Sequence, residues 1–196
     1  MNKVAIAFFT KDKTELSKRT VEPLLQPDKF DAFWFDGSDT PAGLAFVGRM
    51  WAGIAAKYSN VRGGPDAAVA FALTTLLAHP ADYTHIGICE NDVLLHPDWF
   101  GPTMALFAAG DVEGLDVGAV SPRCYDDRIL IQRDGYAVTH NLGWGMVLFT
   151  REAAQLTLQN MRTCWTTENR RIFAQLTGKD IGRYWAFRAS ENPLCA

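Results

Sequence analysis

The sequence has no surplus of basic residues: 19 Lys plus Arg stand against 22 Asp plus Glu, a formal net charge of −3. A protein that grips a nucleic-acid backbone needs the opposite balance, so nucleic acid is not the expected partner. Cysteine is scarce as well. Cys89, Cys124, Cys164 and Cys195 are scattered and form no Cys-x-x-Cys pair, which argues against a zinc site or a disulfide framework and for free thiols in a reducing cytoplasm. Long apolar runs are missing too. The longest, AAVAFALTTLLA at 67–78, is broken by two threonines and falls short of the roughly 20 residues a membrane span needs, so no transmembrane segment is expected. The start, MNKVAIAFFTKDK, holds too short an apolar stretch for a signal peptide, and no export is predicted. There are no repeats, low-complexity tracts or clear linkers.

What is present is an ordinary globular composition: 196 residues, 48% hydrophobic, 12% aromatic and 21% charged. That length is most simply one domain, and it supports a sizeable core without staples.

The order of elements gives the fold class. Val4 to Phe9 is a continuous β-branched and aromatic run, the mark of a strand buried on both faces. Thr14 to Gln26 reads as a helix with a cap at Thr14 and an irregular last turn at Pro23. DAFWFDGSDT is a second strand that ends in a turn-rich acidic loop, Asp36-Gly37-Ser38-Asp39. Residues 42 to 58 carry apolar positions at helical spacing, and NVRGGPD then breaks the chain. A helix is predicted over 67–78, a strand over 83–89, a helix over 97–109 and a short strand over 117–120. The segment 121–142 is polar and loop-like. Met146 to Thr150 reads as a strand and Arg151 to Asn160 as a helix; TTENRRIFAQLTG suggests one more helix ending near Gly178. Such alternation predicts an α/β fold with a mostly parallel sheet.

In open α/β sheets ligands gather beyond the carboxyl ends of the strands. Three strand ends carry distinctive chemistry: Thr10, the acidic loop with Asp36 and Asp39, and Glu90-Asn91-Asp92 in GICENDVLLHPDW. They are expected to converge on one edge. Oxygen ligands at a strand end can hold Mg²⁺ or Mn²⁺ while leaving positions open for phosphate oxygens and water. Capping of the following turn by Asn91 and Asp92 is the plainer alternative.

The series VAIAFFT, FWFDGSDT, NVRGGPDAAVAFAL and YTHIGICENDVLLHPDWF resembles the donor-binding half of a GT-A fold glycosyltransferase, most like the family 2 type. The resemblance covers residues 3 to 100. It implies a GT-A (nucleotide-diphospho-sugar transferase) fold, a Rossmann-like α/β/α sandwich with a mostly parallel sheet. It also implies an Asp36 that contacts the base or ribose of a nucleoside-diphosphate sugar, and an Asp92 that binds the metal, Mn²⁺ or Mg²⁺. Thr10, Asp39 and Asn91 would belong to the donor site. Glu90 stands where the family has the first aspartate of its Asp-x-Asp signature, and its extra methylene leaves open whether it reaches ribose or, through water, the metal. Arg62 would face the donor phosphates, with a surface arginine as the alternative.

Beyond residue 100 the match thins. THNLGWGMVLFTREA, 139–153, resembles the family's Gly-containing segment, strand and Arg-Glu-Ala helix start on the acceptor side. Trp144 would stack on an acceptor sugar, or else pack in the core; His140 is a further metal ligand or an ordinary loop histidine. An inverting transferase needs a general base for the acceptor hydroxyl. The resemblance implies Glu168 of Glu168-Asn169 in that role, where the family commonly has a Glu-Asp pair, with Asp126, Asp127 and Asp180 as rivals. Arg170 and Arg171 are further candidates for the phosphates.

The expectation is one domain, 1–196, with a nucleotide-sugar-binding half over 1–100 and an acceptor-side half over 101–196. The chain is short for this fold, so a missing acceptor region and a partner subunit both stay open. The implied activity is metal-assisted, inverting transfer of a sugar to a hydroxyl of a glycan, lipid or protein by a cytoplasmic enzyme. The alternative is a nucleotide-sugar-binding module without turnover. A dinucleotide or methyl-donor enzyme using Asp36 as its ribose acid is disfavoured, because no Gly-x-Gly-x-x-Gly follows the first strand.

Overall fold

The apolar run near the amino terminus forms β1 (Val4–Thr10), and only Phe9 in it is not fully buried. Its side chains alternate between two cores: Ala5 and Ala7 lie in one, Val4, Ile6 and Phe8 in the other. That is what a strand at the middle of a covered sheet requires. The computed structural model describes residues 3–21, 26, 28–49, 54–114, 116–122, 129–132, 134–139 and 145–164.

Along the chain β1 is followed by α1 (Thr14–Val21), β2 (Asp31–Asp36), α2 (Pro41–Arg49), β3 (Ile54–Tyr58), α3 (Pro65–Leu77) and β4 (His85–Glu90). Then come α4 (Phe100–Glu113), β5 (Ala119–Val120), β6 (Ile129–Gln132), β7 (Ala137–Thr139), β8 (Met146–Thr150) and α5 (Arg151–Cys164). Six strands form one sheet in the order β3-β2-β1-β4-β8-β5. The first four pair in parallel, and β8 runs antiparallel to both β4 and β5. The sheet is therefore mostly parallel, as predicted.

Helices cover both faces. On one, Val69, Leu73 and Leu76 of α3 and Ala154, Leu158 and Met161 of α5, both sets at helical spacing, pack on Phe33, Phe35, Ile86, Ile88 and Val147. On the other, Phe46 of α2 and Met104 and Phe107 of α4 close over Ile6, Phe8, Trp34 and Leu148. Gly87 in β4 keeps the sheet's centre closed, since a Cβ there would stand 3.0 Å from Leu148 Cδ1 and 3.2 Å from Ile6 Cγ1.

Three sequence expectations are corrected. Residues 42–58 are not one helix: α2 stops at Arg49, and Ile54–Tyr58 pairs with β2 as an edge strand. IAAKY holds good helix formers, and pairing with β2 overrides that propensity. The polar segment 121–142 is not all loop, for β6 and β7 make a separate antiparallel ladder. Asp134-Gly135, with Gly135 at φ 81°, joins them, a hairpin signal present in RDGYAVT. The first helix begins at Thr14, and the carbonyl of Lys13 accepts its opening bond from Ser17 N at 2.9 Å, one residue before the expected cap.

Candidate functional site

The sheet order reverses direction between β1 and β4: β2 and β3 extend to one side of β1, β4 and β8 to the other. At such a switch point the loops diverge and leave a crevice beyond the strands' carboxyl ends. Register brings the expected residues there, since Thr10 pairs with Asp36 and Phe9 with Glu90. The three strand ends thus share one edge.

Asp36, at the end of β2, is fully buried. Its Oδ1 accepts from Thr10 Oγ1 at 2.7 Å, Ser38 Oγ at 2.7 Å and Ser38 N at 3.2 Å. Thr10 Oγ1 in turn accepts from Trp34 Nε1 at 2.7 Å, so a core indole fixes the hydroxyl that fixes the carboxylate. Asp36 Oδ2 has no partner among the described residues. An unsatisfied buried oxygen is costly, and one at a ligand-binding edge is an acceptor ready for use. The adjoining loop is tightly drawn: Gly37 N donates to Thr10 O at 2.9 Å, Val61 N to Asp36 O at 3.0 Å, and a Cβ on Gly37 would lie 2.9 Å from Val61 O.

Asp12 escaped the sequence reading. It sits in the loop after β1 at φ 59°, and its Oδ1 accepts from Asp39 N at 3.1 Å, Thr40 N at 2.9 Å and Thr40 Oγ1 at 2.7 Å. Its own N–H donates to Ser38 Oγ at 3.1 Å. The backbone N–H of Thr40, then its hydroxyl, hold the Asp12 carboxyl below its ordinary range. This clasp joins the β1 loop to the acidic loop and to the amino end of α2, where Gly43 lies so close that a Cβ would meet Asp12 Oδ1 at 2.7 Å. Asp39 is exposed, pairing with Lys11 at 3.6 Å and Arg62 at 3.0 Å, and Arg62 also donates to Gly37 O at 2.8 Å. Gly63 and Gly64, at φ 97° and 87°, make the left-handed turn that carries the chain from Arg62 into Pro65 of α3.

At the end of β4 the three polar residues part company. Asn91 is turned to α1, its amide donating to Ser17 Oγ at 3.2 Å and its carbonyl accepting from Thr20 Oγ1 at 3.5 Å. Glu90 is half-buried; burial first, then the charge of Asp92, raise its carboxyl, while Lys13 pulls it down. Asp92 is exposed, with Oδ2 3.5 Å from Lys13 Nζ. The neighbouring Cys89 thiol is buried and pushed up by that burial, which makes it inert as a nucleophile or ligand.

No protein-family model and no curated protein matches the chain by sequence. Solved structures match its fold. One is the mannosyltransferase PcManGT from Pyrobaculum calidifontis in complex with GDP-Man and Mn²⁺, at 20% identity and TM-score 0.52 over 76% of this chain and 45% of that one. Another is S. aureus TarS 1-349, at 13% identity and TM-score 0.51 over 81% of this chain and 49% of that one. The fold is GT-A-like. The chain spans about half the length of these structures.

Within the GT-A-like frame, Glu90 and Asp92 are the oxygen donors that suit Mn²⁺ or Mg²⁺, hard cations that take carboxylates and leave positions to phosphate and water. Burial first, and then the Asp92 charge, raise Glu90, and a divalent ion held there would offset both, which is the sense in which these two carboxylates fit such an ion. Among the described residues no group of three or more His, Cys, Asp or Glu is placed to hold a metal ion. β8 enters the same edge by its amino end: Gly145 O accepts from Glu90 N at 2.9 Å. The other end of β8 is a correction to the sequence reading. Because β8 is antiparallel, the Arg151-Glu152 helix start lies at the far edge, where Arg151 donates to Tyr83 O at 3.1 Å and Leu77 O at 2.8 Å. Trp144, His140, Glu168, Arg170, Arg171, Asp126, Asp127 and Asp180 lie outside the described residues.

Proposed function

We propose that this protein is a glycosyltransferase that binds a nucleoside-diphosphate sugar at the switch-point edge and transfers the sugar to an acceptor hydroxyl. The observation that carries the reading is the fully buried Asp36 Oδ2, without a partner among the described residues, on the same edge of a GT-A-like sheet as Glu90 and Asp92. The mannosyltransferase it resembles in fold was solved with a nucleotide sugar and Mn²⁺, which supports the same ligand class here.

In this reading Asp36 Oδ2 accepts a hydrogen bond from the base or ribose, with Thr10 holding the carboxylate in place. Arg62 leaves Asp39 to face the diphosphate, and Asn91 holds the β4 turn against α1. Asp92, and Glu90 directly or through water, would hold Mn²⁺ or Mg²⁺, and such an ion would neutralise the diphosphate and make it a better leaving group. Trp144 offers its face to the acceptor sugar. Glu168 takes the proton from the acceptor hydroxyl as its oxygen attacks the anomeric carbon, with inversion. The chain works as one domain, 1–196, in the cytoplasm, and the acceptor is a glycan, lipid or protein. Among the described residues no helix is long and apolar enough to cross a membrane.

A thermal-shift screen of nucleoside diphosphates and nucleotide sugars, with and without Mn²⁺, tests the reading. A ligand at 100 times its Kd adds about 2.7 kcal/mol, which for this size raises Tm by about 5–10 °C. No shift with any of them contradicts the proposal.

A further inference from the structure

We propose that Lys13 is a tethered counter-ion: it occupies Asp92 in the donor-free protein, competes there with a divalent cation, and passes to the donor's diphosphate when the crevice fills. The inference rests on the nucleotide-sugar reading of the site and adds to it a residue on which that reading placed no role.

The backbone of Lys13 is pinned while its side chain is not. Its N–H donates to Lys11 O at 2.7 Å, and its carbonyl accepts from Ser17 N and Ser17 Oγ, both at 2.9 Å, so the residue is fixed at the start of α1. The side chain is exposed and its ammonium lies 3.5 Å from Asp92 Oδ2. It stands at the point where the sheet order reverses, bridging the loop after β1 to the loop after β4. Its charge also reaches Glu90, which it pulls down against the push of burial. The ammonium is therefore paired with Asp92 and close enough for its charge to act on Glu90.

The other two cations of this edge are placed differently. Lys11 and Arg62 both pair with Asp39, and Arg62 is further tied to Gly37 O. Lys13 is the cation on the β4 side among the described residues. A long, exposed pair is weak and exchanges readily. An ammonium on a flexible stem is a point charge with no geometric demand, so it transfers from carboxylate to phosphate without rearrangement of the backbone. A divalent ion and an ammonium on one carboxylate repel each other. Loading Asp92 with metal would thus free Lys13, and an incoming diphosphate would give it a new partner.

The test uses Lys13→Met, which keeps the stem and removes the charge, and Lys13→Arg, which keeps the charge. Two readouts are taken on the whole protein: binding of Mn²⁺ alone, by the electron paramagnetic resonance signal of the free ion, and binding of GDP and UDP without metal, by calorimetry. Lys13→Met is expected to bind Mn²⁺ about two- to fivefold more tightly, the range set by an exposed ion pair. It is expected to bind the metal-free nucleotide at least fivefold more weakly, with Lys13→Arg restoring wild-type behaviour in both. If wild-type protein binds Mn²⁺ and a nucleotide and Lys13→Met matches it in either measurement, the counter-ion role is wrong and the donor site stands. If wild-type protein binds neither, the donor site itself is wrong and the inference falls with it.

Discussion

Glu90 carries a cost at neutral pH that the fold accepts. Burial and the Asp92 charge raise its carboxyl above the ordinary glutamate value, so the native state holds its proton more readily than the unfolded chain. By linkage, the stability this gives is present below the unfolded pKa and is lost as pH rises through the folded one. Glu90→Gln removes the ionised form, so its Tm should exceed wild type near pH 8, with the gap closing as pH falls below the ordinary glutamate range. A gap that is constant from pH 4 to 8, or widens in acid, contradicts this. Glu90 and Asp36 were legible in the sequence because carboxylates at the end of apolar strands are expensive and ask for a use. Asp12 was not, because its partners Asp39 and Thr40 lie 27 and 28 residues away and leave no local pattern. Asp92 pairs with Lys13 whereas the Asn91 amide donates to Ser17 Oγ, contacts across the fold that the run Glu90-Asn91-Asp92 does not itself show.

Between elements, glycine positions tell close approach from open surface. Helix propensity alone says that Gly→Ala in α2 or α4 stabilises by about 0.4–1 kcal/mol. Gly101 of α4 has nothing within 4 Å of where a Cβ would stand, so Gly101→Ala should gain that amount in urea denaturation. Gly43 of α2 should do the reverse. Its added Cβ would meet Asp12 Oδ1 at 2.7 Å and the Ser38 Cβ at 2.8 Å, and both groups are anchored in the clasp. Gly43→Ala is expected to destabilise by about 1–3 kcal/mol, the cost of overpacking. A stabilised Gly43→Ala would mean that α2 is not packed on the clasp. The strands β1, β2 and β4 were legible as continuous apolar runs, the pattern of strands covered on both faces. The edge strand β3 was not, since an alanine-rich edge needs no such run, and the β6–β7 hairpin was hidden within a polar segment despite its Asp-Gly turn.

The sheet as a unit has two edges with different duties. The carboxyl edge gathers Asp36, Asp39, Glu90 and Asp92 with Lys11, Lys13 and Arg62. The amino edge is a structural seam, where Arg151 ties α5 to Tyr83 O and Leu77 O, and where Tyr83 donates to Asp31 Oδ2 at 2.7 Å. Arg151→Met should therefore cost about 1–3 kcal/mol of stability by leaving those carbonyls unpaired, with nucleotide affinity unchanged. A loss of affinity without loss of stability would place the binding edge wrongly. The parallel sheet was legible from the alternation of strands and helices, and the reversed direction of β8 was not, because orientation is a matter of pairing and leaves no mark in a five-residue apolar strand.

Binding of a nucleoside diphosphate at the carboxyl edge, with a divalent ion on Asp92, underlies every functional role assigned above. Calorimetric titration of GDP and UDP into wild type and Asp92→Ala, each with and without Mn²⁺, addresses it without needing the acceptor. Mn²⁺ should tighten nucleotide binding by wild type tenfold or more, and Asp92→Ala should retain the metal-free affinity to within a few-fold while losing the enhancement. An unchanged Mn²⁺ enhancement in Asp92→Ala would show that the metal is held elsewhere and that the site is wrongly drawn.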